Sequence, residues 1–341
     1  MWKRALLSIK LSHCGINFVP QNPLYIGALE TQIVFLLILK GELTIAEELL
    51  AGQTEIALPK PTYSMRKKIY HAKAKTLIAQ QRGRFRQAEA IVRQVQQALK
   101  QQGYGKRPMA FLLHRHLGSI YYHQNLLEEA WKCAADIMKY RECEYFGLFD
   151  EIRAGGELRL QLHRAAGEYE HAFECIRQMR NYAVKLDIPQ IADSADACAA
   201  QLAIDQDNLS AAGLWFKRRN LRLDERFSLL FAMECLSLAR LHYAQKKYPQ
   251  ADALLKSLRN RFLKRGLAEL VLQIDILQSA ALYMMNQHET AEAILKETLA
   301  FAETEGYLRP FINESKLIGP ILRRIADRCS NTPLNVTTKK F

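Results

Sequence analysis

The sequence predicts an all-α chain: one right-handed α-solenoid of about seven helix–turn–helix repeats, each 39–42 residues long. Three observations carry this. A local pattern returns seven times at nearly constant spacing. Glycine and proline are scarce, 16 and 10 in 341 residues, too few for the many tight turns of an all-β chain. Apolar residues around each recurrence follow the helical period. With 49% hydrophobic and 24% charged residues, the composition excludes a mostly disordered chain.

The pattern is a turn residue, an apolar or aromatic residue two later, and an alanine five later. It reads Gly41, Leu43, Ala46; Gly83, Phe85, Ala88; Asn125, Leu127, Ala130; Gly167, Tyr169, Ala172; Asp207, Leu209, Ala212; and Lys246, Tyr248, Ala251. Asn286, His288, Ala291 is the weakest copy. The alanines step by 42, 42, 42, 40, 39 and 40 residues. The turn residue is expected to close helix A in the left-handed conformation, which Gly and Asn adopt most readily. The alanine sits one turn into helix B, where a small side chain lets A and B approach. Four residues later comes Leu50, Val92, Ala134, Ile176, Phe216, Leu255 or Leu295, on the same face of B. Prolines and glycines mark residues 59–61, 101–108, 155–156 and 187–189 as the B-to-A connections. No repeat can bury its apolar face alone, so the repeats should stack.

This pattern resembles the tetratricopeptide (TPR) repeat, lengthened from about 34 residues. The end of the chain narrows the resemblance. Ala302-x-x-x-Gly306-Tyr307-x-Arg309-x-Phe311-x-x-Glu314 is similar to the stretch that closes the superhelical domain of MalT-like regulators, the large ATP-dependent LuxR-type transcription activators. The resemblance covers about residues 25–328, and residues 302–314 are its most specific part. It implies a superhelical domain over residues 24–328, with residues 1–23 an N-terminal cap segment and 329–341 a flexible tail. Residues 24–39 are strongly apolar, so that end is expected to be covered, for instance by another subunit.

Those regulators also carry an ATPase module and a LuxR-type helix-turn-helix. No Gly-x4-Gly-Lys-Ser/Thr occurs here; Gly103-Tyr-Gly-Lys106-Arg107 comes nearest and fails. Residues 330–341 are too few for a DNA-binding domain. The expectation is an excised sensor domain or a stand-alone relative.

Formal net charge is +13, concentrated in the first third: residues 1–110 hold 17 Lys/Arg against 6 Asp/Glu. Arg66, Lys67, Lys68, Arg82, Arg84 and Arg86 therefore read as a basic docking face for an acidic partner or a neighbouring domain, or as ordinary solvated helix faces. Few aromatics accompany them, which argues against a stacking platform for single-stranded nucleic acid. The seven cysteines are an odd number with no Cys-x-x-Cys; six lie in or near helical patterns and read as small buried apolar residues, which fits a reducing cytoplasm. The apolar run of residues 33–39 is too short to span a bilayer, and no secretory cleavage site follows the basic start.

In TPR-like stacks helix A lines the concave wall. Counting back from each turn residue places Gln80, Arg115, Ser119, Tyr122, Gln161, Arg164, Gln201, Arg240, Tyr243 and Tyr283 on that wall. Tyr, Gln, Arg and Ser on successive rungs are suited to hydrogen-bond a sugar or peptide and to stack on a flat face. His114, His116 and His123 share one helix, but 116 and 123 stand about 10 Å apart along it, too far to chelate one ion. All the histidines, His163 and His242 included, read as structural, and no metal or cofactor is expected. No nucleophile elbow and no His-Glu-x-x-His occurs, so no enzyme is expected. The resemblance implies a sensor that binds a small-molecule or peptide effector, a protein partner, or both, partners including the ATPase module or a second copy. The alternative is a stand-alone TPR-like scaffold that binds a protein segment. A nucleic-acid-binding solenoid is a weaker third reading.

Overall fold

The computed structural model describes residues 23–52, 61–105, 112–140, 148–221 and 229–330. The described residues form helices and no strands. Fourteen of the helices make seven A/B pairs: α1 (Pro23–Leu39) with α2 (Leu43–Ala51), α3 (Pro61–Gln81) with α4 (Phe85–Gln101), and α5 (His114–His123) with α6 (Leu127–Tyr140). Then come α7 (Leu148–Ala166) with α8 (Tyr169–Leu186), α9 (Pro189–Asp205) with α10 (Leu209–Arg219), α11 (Leu229–Ala244) with α12 (Tyr248–Leu263), and α13 (Ala268–Met284) with α14 (His288–Glu305). A short α15 (Arg309–Asn313) and α16 (Ser315–Ser330) close the array. Among the described residues no helix is long and apolar enough to cross a membrane.

All seven pairs turn in the same way. Gly41, Gly83, Asn125, Gly167, Asp207, Lys246 and Asn286 each take a positive φ, between 59° and 76°. The turn residue donates to the carbonyl three residues back, and the next residue to the carbonyl five back, as in Gly83 to Gln80 and Arg84 to Ala79, both 2.8 Å. This Schellman geometry satisfies the last carbonyls of helix A within three residues. Helix B begins two residues after the turn, at an apolar or aromatic residue in the first six pairs and at His288 in the seventh. The seven pattern alanines are all buried, as are the residues four later. Residues 187–189 are a connection as expected: Asp187 takes φ 53° and Pro189 opens α9. Residues 155–156 are not. They lie inside α7, and a Cβ on Gly156 would stand 2.7 Å from Met179 Cγ. Here glycine is a packing residue that brings α7 against α8, not a break. Of the expected cap (1–23) and tail (329–341), residues 1–22 and 331–341 lie outside the described residues; residue 23 opens α1, and residues 329–330 end α16 rather than starting a tail.

The array bends until its two ends meet. Helix α13 packs on α3, and α15 on α5. The Phe85 and Tyr307 rings meet edge to face with centroids 4.2 Å apart. The Leu308 amide donates to the His123 carbonyl at 2.9 Å. Gln81 Nε2 donates to Glu269 at 2.9 Å, across 188 residues of sequence. The Arg86 amide donates to the Glu305 carboxylate at 3.0 Å. Arg309 Nη1 donates to Asn125 Oδ1 at 3.0 Å, and Asn313 Nδ2 to the Tyr122 hydroxyl at 3.1 Å. Phe85, Tyr307 and Phe311 are fully buried in this seam, each worth about 1.5–3 kcal/mol of burial. The apolar core also crosses it: Val34, Ile38 and Ile78 share one cluster with Phe231, Leu270 and Ile274. The apolar first helix is thus covered in part by the chain's own last repeats.

The seam sets up a comparison of two glycines. Gly83 (φ 72°) and Gly167 (φ 76°) hold the same turn position, but a Cβ on Gly83 would lie 2.8 Å from Phe301 Cζ, whereas Gly167 has nothing within 4 Å. Alanine at either site costs about 1–2 kcal/mol for the left-handed backbone. Only Gly83→Ala also wedges the seam, so urea unfolding should show it destabilised beyond Gly167→Ala.

Candidate functional site

Closing the array forms a cavity of about 670 Å³ that stays partly open to solvent. Its wall comes from helix A of successive pairs, because the alanine-bearing face of each helix B turns toward its own helix A and leaves A on the inside. Eight of the ten wall residues predicted by counting line this one space: Gln80, Arg115, Ser119, Tyr122, Gln161, Arg164, Gln201 and Arg240. Tyr243 and Tyr283 are not among its lining. Tyr243 packs its ring on Tyr248, at 5.2 Å between centroids, and Tyr283 on His288, at 4.5 Å. Both border the cluster that Phe311, Ile318, Ile321 and Ile325 fill. The closing helices α15 and α16 occupy the last rungs of what would otherwise be open groove.

Most charged groups of the wall are held in pairs. Arg164 forms a two-bond pair with Asp205, and the carboxylate also accepts from Gln201 Nε2 at 3.1 Å. Against the desolvation of its burial, the Asp205 carboxylate keeps Arg164 above the usual arginine range. Arg153 contacts Glu157 at 2.7 Å, which also accepts from the Ser194 hydroxyl. Arg240 contacts Glu314 at 2.7 Å and Arg219 contacts Glu234 at 3.0 Å. Gln80, His116 and Arg115 form a buried chain with steps of 3.2 Å. Phe35 and Phe231 add apolar faces, and Lys73 lies over the Phe35 ring. Paired charges, amides and hydroxyls thus alternate with apolar patches along the wall. Cys198 also lines the space, and burial pushes its thiol up, away from the reactive thiolate.

Counting from the turns missed the groups that the far end of the chain delivers. Pro310, Asn313 and Glu314 of the closing motif join the wall, as does Glu269 from the start of α13. Glu269 is placed where the cavity meets the seam. Besides Gln81, it accepts from Gln273 Nε2 at 3.4 Å, faces the Tyr307 hydroxyl, and stands 3.8 Å from His123 Nε2. Burial pushes its carboxyl up to about 7, against those hydrogen bonds. Burial likewise pushes His123 down to about 4. The motif residues carried the signal, but their partners are too distant in sequence to infer.

The basic residues do not form one face. Lys68 is exposed and Lys67 half-buried in the middle of α3. Arg82 lies fourteen residues beyond Lys68, about 21 Å along a helix, and pairs with Glu47 at 2.6 Å. Arg84 and Arg86 are exposed at the start of α4. The Arg66 side chain lies outside the described residues. His116 is fully buried against Gln80, and His114 contacts Asp136 at 3.0 Å.

The seam cluster predicts a pH signature. An acid whose pKa is raised by folding holds its proton more tightly in the folded chain. Glu269 therefore lowers stability as pH rises from about 4.5 to about 7, the window in which only the unfolded chain releases the proton. His123 has the opposite sign: its contribution is present above 6.5 and is lost as pH falls toward about 4. The two slopes oppose each other, so the parent profile should be shallow. Glu269→Gln removes only the first. Its stability relative to the parent should rise across pH 4.5–7 by on the order of 3 kcal/mol, measured by urea unfolding at each pH.

The MalT-like TPR region family matches residues 31–328. No curated protein matches the chain. The seven long repeats, the matched span and the Gly306–Glu314 closure agree, and the chain belongs to the MalT-like TPR region family.

Proposed function

We propose that the chain is the effector-sensing domain of a MalT-like, LuxR-type transcriptional regulator of the cytoplasm, and that it binds rather than transforms its ligand. The cavity inside the closed array carries this reading. Its wall combines Gln161, Ser119 and Gln201 from the middle repeats with Asn313 and Glu314 from the closing motif. A small polar effector, a sugar or a short peptide, would touch groups from both ends of the array. Such a ligand has differential affinity for the closed arrangement and shifts the population toward it. The changed outer surface would then be read by an ATPase module or by a second copy. No cofactor enters this scheme. The closed ring weighs against the scaffold alternative, since an extended protein segment would have to thread it.

Thermal melting against maltodextrins, other sugars, amino acids and short peptides tests the proposal. One class should raise Tm; a ligand at a hundred times its Kd stabilises the folded chain by about 2.7 kcal/mol. Gln161→Ala should remove most of that shift while leaving the ligand-free Tm near the parent value. Arg164 and Tyr122 are poorer probes, because each also holds the structure together. No shift with any class would overturn the proposal.

A further inference from the structure

Each turn brings three positions together: four residues before the turn residue, one after it and four after it. In six repeats these positions carry mixed residues. In the sixth they are His242, Lys247 and Gln250; in the third, Tyr121, Leu126 and Glu129. Only the fourth repeat fills all three with metal-ligating types: His163 on α7, Glu168 in the turn and His171 on α8.

The backbone of that turn is the common one. The Glu168 amide donates to the His163 carbonyl at 2.9 Å, as Lys247 does to His242 at 2.8 Å. The side chains differ. His163 Nδ1 stands 2.7 Å from Glu168 Oε2, and His171 Nδ1 stands 3.9 Å from the same oxygen. The two imidazoles stack with centroids 5.2 Å apart and planes 20° apart. One ligand atom from each residue lies within 4.8 Å of the other two. His163 is fixed, only 13% exposed and held edge-on by the Trp131 ring at 4.7 Å. His171 is 69% exposed and lies at the solvent side of the pair.

We propose that His163, Glu168 and His171 bind a divalent transition metal of the Zn²⁺ class. Two imidazoles and one carboxylate suit Zn²⁺, Ni²⁺ or Cu²⁺, whereas Ca²⁺ and Mg²⁺ prefer all-oxygen sets. A small rotation of His171 brings the three donors to the bond lengths of about 2.0–2.2 Å that Zn²⁺ takes, with water in the fourth position. The ion would clamp the two helices of the fourth repeat at the turn. Arg164, beside His163, lines the cavity, so the clamp would brace the cavity wall. Searching for ligands along single helices missed this set because it spans a turn.

The test uses the untagged full chain, freed of metal with a chelator and titrated calorimetrically with ZnCl₂. One equivalent should bind. His171→Ala and Glu168→Gln should each weaken binding at least about tenfold, the scale on which even an outer partner of a metal site matters. Both positions are exposed, and circular dichroism would confirm that the variants fold. CuCl₂ should quench fluorescence in the same stoichiometry, and Trp131→Phe should lose most of that quenching yet still bind Zn²⁺. Absence of Zn²⁺ binding, or equal binding by His171→Ala, would overturn the proposal.

Discussion

The rest of the structure depends on one contact, the packing of the closing motif onto the helix A–helix B turns of the second and third repeats. Tyr307 sits against Phe85 and His123, and Leu308 completes a backbone hydrogen bond to His123. A repeat array is normally held only by neighbours, and its ends are its weak points. Here the two weak points cover each other. The same contact turns a groove into a walled, partly open cavity. Polar groups along the inner wall then gain partners such as Arg240 with Glu314, whose residues stand 74 positions apart.

Much of the fold was legible because the repeat is local. Seven left-handed turn residues and seven buried alanines follow from short-range patterning alone. Lys246 is instructive: lysine does not favour a positive φ, yet its place in the period assigns it one. The glycine pair at 155–156 misled in the opposite way. Composition alone reads it as a break, while its neighbour Met179 makes it a contact. The seam was illegible for a different reason. Phe85 and Tyr307 look like ordinary turn-sealing and cap residues, and nothing local says that they meet.

The candidate site divides along the same line. Positions counted from each turn found eight wall residues, since helix periodicity fixes which side of A points inward. The count failed at Tyr243 and Tyr283 because the closing helices fill those rungs, which is a consequence of the seam. It missed Glu269 and Glu314 for the same reason. The wall is assembled from both ends of one chain, so under the proposed reading a molecule bound there would favour closure of the ring.

The central claim is that the ring is closed in solution. Hydrogen exchange at the Leu308 amide tests it most directly, because the partner of that amide is the His123 carbonyl of a distant repeat. The Gln287 amide, bonded to Leu282 within its own turn at 3.0 Å, is the internal reference. The account predicts that Leu308 is protected to a similar degree as Gln287, and that Phe85→Ala strips protection from Leu308 first. Free-peptide exchange at Leu308 beside a protected Gln287 would mean an open superhelix and would contradict it.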